Sequence, residues 1–198
     1  MRKLTLRILP FIALSLFTGT VRAESIVAQL SDYTARFFYS SQVWGQQAGP
    51  IEIELGVMFT EDKLTQDDTI MGNLGVLIRN DTMDSPVIIS IGGRGYYADV
   101  NNRYANIQVT GLALGGEVLI VPDNLGGLGL GFGLFIAPNV VTGLDADGLY
   151  EYSVKLDFQV TPQASIYLGY EKIVASLKDV DFSVTVESGF HLGLSIRF

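Results

Sequence analysis

Residues 180–198 alternate between apolar and polar side chains. The apolar parity, broken only at Ser188, contains Val180, Phe182, Val184, Val186, Phe190, Leu192, Leu194, Ile196 and Phe198. The other parity carries no large aliphatic or aromatic residue. Because successive side chains of a β-strand point to opposite faces, this period of two predicts a strand with one apolar face and one polar face.

The same alternation recurs along the chain. It is clear over 51–59, 112–120, 128–136 and 150–160, weaker over 70–79, 86–97 and 164–174, and ambiguous over 34–42. Turn-forming residues such as Asn80-Asp81, Pro122-Asp123-Asn124 and Thr161-Pro162-Gln163 separate the runs. No segment after the first 23 residues shows a convincing helical period, so we expect little helix there.

The number of alternating segments predicts an all-β fold, a closed antiparallel transmembrane β-barrel. Nine strands can be counted from residue 34 onward, whereas single-chain bacterial barrels have an even number. We therefore expect Ser25–Leu30 to supply a tenth strand. A barrel of eight strands is the alternative, in which 34–42 is not a full strand.

The first 23 residues have the features of a secretory signal peptide. Arg2, Lys3 and Arg7 form a basic start, Ile8 to Phe17 is a short apolar run, and Ala23 ends a small-residue cleavage site. We predict a signal peptide over 1–23 and a single barrel domain over 24–198. Removing 1–23 leaves nine basic and 21 acidic residues, a net charge of −12.

This composition limits the chemistry that we expect. An acidic chain is a poor nucleic-acid binder, because phosphate backbones require a basic surface. The chain has no cysteine and one histidine, His191, so the usual transition-metal clusters are not expected. We predict no cofactor, no metal site and no catalytic residue.

In a barrel, the apolar parity faces lipid and the polar parity faces the lumen. Aromatic residues near strand ends resemble interfacial girdles; they are Tyr96, Tyr97, Tyr104, Tyr150, Tyr152, Phe158 and Phe198. The predicted charged lumen cluster is Glu52, Glu54, Arg94, Glu117, Glu151, Lys155, Asp157, Glu171, His191 and Arg197. These charges either plug a narrow lumen or line a small polar channel. The inward glycines at 127, 129, 131 and 133 indicate open space or room for a neighbour's side chain.

Location and partners follow from the barrel prediction. We expect the outer membrane of a Gram-negative bacterium, a monomer, and contact with membrane lipid and lipopolysaccharide. Both termini would face the periplasm. The barrel-assembly machinery would recognise the last strand through Phe190, Leu192, Leu194, Ile196 and Phe198.

Two other interpretations remain open at this stage. The first is an outer-membrane lipid-modifying or hydrolytic enzyme that uses His191, with Ser195 and an acid nearby. The second is a soluble periplasmic β-sandwich or lipocalin-like binding protein, whose apolar strand faces pack a core. We expect a structural or porin-like barrel rather than either.

Several segments carry a resemblance to a known family. They are Ile91 to Val100, Leu112 to Val118, Leu128 through Ala137-Pro138, Tyr150-Glu151-Tyr152, and Pro162 to Tyr170. Together they resemble the YfaZ family of small predicted outer-membrane proteins, most closely over about residues 90–175. The resemblance implies an outer-membrane barrel, porin-like in character, and brings no catalytic residues with it.

Overall fold

The computed structural model describes residues 24–44, 51–62, 67–80, 86–101, 106–178 and 182–198. The predicted signal peptide lies outside the described residues. Within them, the strands are β1 (Glu24–Leu30), β2 (Thr34–Trp44), β3 (Ile51–Asp62), β4 (Asp67–Asn80), β5 (Val87–Asn101), β6 (Asn106–Ile120), β7 (Leu128–Ala137), β8 (Thr142–Leu144), β9 (Ala146–Thr161), β10 (Ala164–Leu177) and β11 (Ser183–Arg197). Two short 3-10 turns, Asp123–Leu125 and Asn139–Val141, are the helical elements of this part of the chain.

Ten of these strands form a closed antiparallel barrel, which confirms the predicted fold class and strand count. Each strand pairs with the next around the circle, and β1 closes it by pairing with β11 from Leu30↔Leu192 to Ser25↔Arg197. Ser25–Leu30 therefore supplies the tenth strand, and residues 34–42 are part of a full strand. We call the end of the barrel where β1 begins and β11 finishes the terminal end.

The remaining strand, β8, is not one of the ten strands of the barrel. It extends the sheet in line with β7. It pairs with β6 over Val109↔Leu144 to Gly111↔Thr142, next to the stretch of β6 that pairs with β7. Pro138 separates β7 from β8, because proline has no N–H to donate to the sheet ladder. The alternation of apolar and polar residues does not predict this interruption.

The outer surface of the barrel is apolar around its middle. Outward side chains such as Leu74, Ile91, Leu114 and Leu134 are more than half exposed to solvent. Their neighbours along each strand point into the lumen, as the alternation predicts. The barrel therefore exposes large aliphatic and aromatic side chains on its outer surface and buries several charged side chains in its lumen.

The alternation predicted over 180–198 is wrong at its start. The pairing of β10 with β11 moves from Ile173↔Glu187 to Val174↔Thr185, which leaves Val186 as an extra residue in a β-bulge. The bulge reverses the parity, so Val184 and Val186 are buried inside the barrel while Phe190 faces outward. Val180 lies outside the described residues.

No helix of the described residues is long and apolar enough to cross a membrane.

Candidate functional site in the barrel lumen

The lumen contains a cavity of about 560 Å³ on its terminal-end side, which we call the terminal cavity. Its lining reaches Asp123 and the β9–β10 turn at Pro162-Gln163, so it extends to the terminal end. All ten residues of the predicted lumen cluster line this cavity. Because they come from six different strands, only barrel closure brings them together.

Six of the lumen side chains form a layer of ion pairs across the middle of the barrel, which we call the ionic layer: Arg36, Glu54, Arg94, Glu117, Glu151 and Glu171. At its centre is Arg94, which is 3% exposed. Its Nη2 donates to Glu54 Oε2 at 2.8 Å and to Glu117 Oε1 at 2.6 Å, and its Nη1 donates to Glu151 Oε1 at 3.0 Å. One guanidinium thereby holds carboxylates from β3, β6 and β9.

Arg36 provides the second guanidinium of the ionic layer, and it is absent from the predicted lumen cluster. It pairs with Glu171, and its Nη2 lies 3.7 Å from Glu151 Oε2. Its guanidinium carbon also lies 4.4 Å from the centroid of the Phe38 ring. The sequence does contain a signal for an inward Arg36, because this residue shares one parity with Phe38 and Ser40. Three consecutive aromatic residues, Phe37 to Tyr39, make the alternation ambiguous there.

The predicted position of Tyr96 is also wrong. It was expected in an outward aromatic girdle, yet it is 4% exposed and its hydroxyl donates to Glu151 Oε2 at 2.6 Å. Its neighbour Tyr97 is the residue that faces outward. Tyr104 lies outside the described residues. A buried tyrosine needs a hydrogen-bond partner, and the ionic layer provides one.

Beyond the ionic layer, away from the terminal end, the lumen is filled by apolar side chains. This apolar plug contains Met58, Met71, Ala98, Val100, Val109, Phe135, Ala137, Leu149, Ile173, Ala175, Val184 and Val186. The Arg94 guanidinium carbon lies 4.1 Å from the centroid of the Phe135 ring, so the ionic layer and the apolar plug are in direct contact. The lumen therefore has two unlike halves.

The inward glycines provide room for larger neighbours. A Cβ added to Gly131 would lie 2.6 Å from Lys155 Cγ, and one added to Gly133 would lie 2.5 Å from Ser153 Oγ. At Gly127 the backbone φ is +89°, a conformation that favours glycine. Of the two interpretations given above for the glycines, room for a neighbouring side chain fits 131 and 133.

His191 lies in the wall of the terminal cavity. Its Nε2 is 3.2 Å from Gln29 Nε2, so it accepts a hydrogen bond from this amide. Its ring packs edge-on against Tyr167, with 5.8 Å between the centroids, and covers Gly169, where a Cβ would collide with it. These contacts hold His191 against two neutral side chains, Gln29 and Tyr167.

The remaining members of the predicted cluster lie nearer the terminal end. Glu52 pairs with Arg79 at 3.4 Å. Asp157 Oδ2 accepts a hydrogen bond from Ser165 Oγ at 3.0 Å, and Lys155 Nζ lies 5.5 Å from the Tyr167 ring centroid. Arg197 is exposed beside the opening. Within the described residues, no group of three or more histidine or carboxylate side chains is arranged to hold a metal ion.

These observations define a closed ten-stranded antiparallel β-barrel with a partly filled, charged lumen. No protein-family model matches the chain, and no curated protein matches it. Among solved structures it is similar to the crystal structure of Neisserial surface protein A, with 14% sequence identity and a TM-score of 0.34 over 89% of this chain and 94% of that chain.

Proposed function

We propose that this protein is a small, monomeric outer-membrane β-barrel with a structural role, and that its lumen does not conduct solutes. The apolar band on the outer surface supports a lipid environment, because exposed leucine and isoleucine side chains gain stability where lipid replaces water. The resemblance to the YfaZ family, stated above from the sequence, agrees with this class.

The single observation that carries the proposal is the apolar plug. Met58, Met71 and Phe135 are at most 1% exposed and belong to one continuous cluster inside the barrel. Hydrated ions and polar solutes would have to separate these closely packed side chains in order to pass. The ionic layer lies directly against this plug, where Arg94 joins carboxylates from three strands.

A second candidate is porin-like passage of ions or small solutes. The observation in its favour is the terminal cavity, which is lined by charged side chains and extends to the terminal end of the barrel. Conduction would require the apolar plug to open. The cavity then would be one mouth of a channel rather than a closed vestibule.

We also propose the orientation and the partners. The terminal end would face the periplasm and the other end the cell exterior, with lipopolysaccharide around the outer rim. The outward side chains of β11 from Phe190 to Ile196 would be read by the barrel-assembly machinery. A role without catalysis is supported by the amide partner of His191, because the Nε2 lone pair that a hydrolytic base would use already accepts a hydrogen bond from Gln29.

Single-channel recording in a planar bilayer tests the proposal. We expect insertion without discrete conductance steps. The triple variant Met58→Ala, Met71→Ala and Phe135→Ala removes the bulk of the apolar plug and should conduct. A matched triple variant on the outer surface, Leu74→Ala, Leu114→Ala and Leu134→Ala, should stay silent. Discrete steps from the unmodified protein would support porin-like passage instead.

A further inference from the structure

The barrel wall is low on one side of the end opposite the terminal end. β1 stops at Leu30, which pairs with Leu192, whereas β11 already begins at Ser183. Among the described residues, 183–191 of β11 therefore have a strand partner only in β10. The β1–β2 turn at residues 31–33 forms the floor of the resulting gap, which we call the notch. Solvent at this end reaches deeper into the lumen along the notch than along the longer strands.

Polar side chains line the lumen at the notch. Glu187 Oε2 accepts hydrogen bonds from Thr34 Oγ1 at 2.7 Å and from Thr60 Oγ1 at 3.2 Å. In the turn itself, the Ser31 hydroxyl accepts a hydrogen bond from the Thr34 N–H at 3.1 Å. Ser31, Thr34 and Glu187 are partly exposed, whereas the plug residue Met58 is completely buried. The notch is therefore a polar, solvent-accessible edge of an otherwise filled half of the lumen.

A second, small cavity continues from the notch towards the terminal end. Its volume is about 10 Å³, which is the space of about one water molecule. Eight residues line it: Gln29, Ser31, Thr34, Arg36, Met58, Glu171, Glu187 and His191. Seven of the eight are polar. Four also line the terminal cavity, namely Gln29, Arg36, Glu171 and His191. The two cavities thus meet at shared side chains, and a polar path leads around the apolar plug, which it touches at Met58.

Two observations indicate room for water along this path. Gly189 lies opposite Glu171 in the neighbouring strand, and among the described residues an added Cβ would meet only the Glu187 carboxylate, at 3.6 Å. The space beside Gly189 is therefore open. In addition, Arg36 Nε and Gln29 Oε1 are buried and make no hydrogen bond within the described part of the chain. Buried polar atoms of this kind are usually satisfied by water.

The ion pair between Arg36 and Glu171 is the narrowest point of the path. Both residues line both cavities, and they are only 2% and 5% exposed. The guanidinium is held in place over the Phe38 ring. A fixed cation in a narrow passage opposes the entry of protons and other cations. A space of about one water molecule is also too small for a hydrated ion, so the path favours water alone.

We propose that water crosses the barrel in single file along this path, between the terminal cavity and the notch, and that solutes and hydrated ions do not. The path leaves the centre of the apolar plug dry, so this activity agrees with a barrel that gives no conductance steps. It goes beyond the structural role proposed above and requires only that the barrel spans a bilayer.

Stopped-flow light scattering of phospholipid vesicles that contain the folded protein tests the inference. A sudden increase in external sucrose shrinks the vesicles, and the rate of shrinkage measures their water permeability. We expect faster shrinkage than for protein-free vesicles. Gly189→Leu fills the open space in the path and should return the rate to the protein-free value. The control Gly95→Leu makes the same change on the lipid-facing side, where a Cβ meets its nearest atom at 3.8 Å, and should behave like the unmodified protein.

A second variant blocks the path by making it apolar. Replacing Arg36 and Glu171 together by methionine removes both charges, so neither is left without its partner, and Glu151 keeps its contact with Arg94. Because an apolar constriction excludes water, this double variant should also lose the added water permeability. Thr69→Val removes a buried hydroxyl that lies off the path and should retain it. A heat-dependent gel shift shows that each variant is folded.

Three results would overturn the inference. The first is a water permeability of the unmodified protein equal to that of protein-free vesicles. The second is equal permeability of Gly189→Leu and Gly95→Leu. The third is a proton flux above that of protein-free vesicles, measured with pyranine trapped inside, since the Arg36 cation should exclude protons. Failure here leaves the structural proposal untouched, because conductance is measured separately.

Discussion

The two halves of the lumen differ although the same strands build both. In the half nearer the terminal end, most inward side chains are charged or polar, and together with a few apolar ones such as Leu119 they surround an open cavity. In the other half, the side chains of the apolar plug are aliphatic, aromatic or methionine and none is more than 7% exposed, although the polar Thr69 is buried beside them and Glu187 accepts hydrogen bonds from Thr34 and Thr60. Whether the lumen is open or filled in each half therefore depends on the inward side chains.

The comparison shows that a closed sheet does not by itself make a pore. Backbone hydrogen bonds close the wall in both halves, whereas inward side-chain volume decides what the lumen admits. The ionic layer stands between the two halves and contacts both, through Glu117 on the cavity side and Phe135 on the plug side. Its loss should affect the molecule more than a change in either half.

The largest effect should come from Arg94→Met. This substitution removes the cation between Glu54, Glu117 and Glu151 and leaves two buried carboxylates and one partly exposed carboxylate without their shared partner. We expect a loss of about 3–5 kcal/mol in the free energy of unfolding. Urea titration of the protein in phospholipid vesicles measures it. A loss no larger than that of an exposed substitution would show that the layer contributes little.

The next largest effect should come from the apolar plug. Met71 is 1% exposed, so Met71→Ala removes a packed side chain and leaves an empty space. We expect a loss of about 3 kcal/mol in the free energy of unfolding. The matched change in the cavity wall, Leu119→Ala, should lose about 1 kcal/mol or less, because water already reaches that side chain. Equal losses would remove the distinction between the two halves.

A smaller effect should follow from Gly193→Ala, since the added methyl group would collide with the Tyr167 ring in the cavity wall. We expect a loss of about 2 kcal/mol, because the ring has to shift from its place beside His191. The control is Gly72→Ala, where a Cβ meets its nearest neighbouring atom at 3.9 Å. If both variants unfold at the same urea concentration, the cavity wall is more adaptable than its packing indicates.

Much of the barrel could be predicted from the alternation of apolar and polar residues. The ten strands and the positions of residues such as Glu54, Glu117 and Glu171 follow from a period of two. What sequence alone could not give is the pairing across distant strands, such as Glu54 on β3 with Arg94 on β5 and Glu151 on β9 with the same guanidinium. Those contacts depend on closure and on strand stagger.

The predictions that were wrong or incomplete have local physical causes. Val184 and Val186 were placed on the lipid face because an extra residue in β11 leaves no mark on the hydrophobic pattern except the polar Ser188 near it. Tyr96 was placed outward because tyrosine suits either a lipid interface or a buried hydrogen bond. The apolar plug leaves little signal in the sequence, because inward alanine and methionine residues such as Ala98, Met58 and Met71 are compatible with either face of a strand.

The division of the lumen can be tested most directly with single cysteines, since the chain has none of its own. Ser195→Cys lies in the wall of the terminal cavity, and Ala98→Cys lies in the apolar plug at a fully buried position. For folded protein in vesicles, we predict that a water-soluble maleimide modifies Ser195→Cys rapidly and leaves Ala98→Cys unmodified. Modification of both at similar rates would contradict the account, because water would then run through the whole barrel.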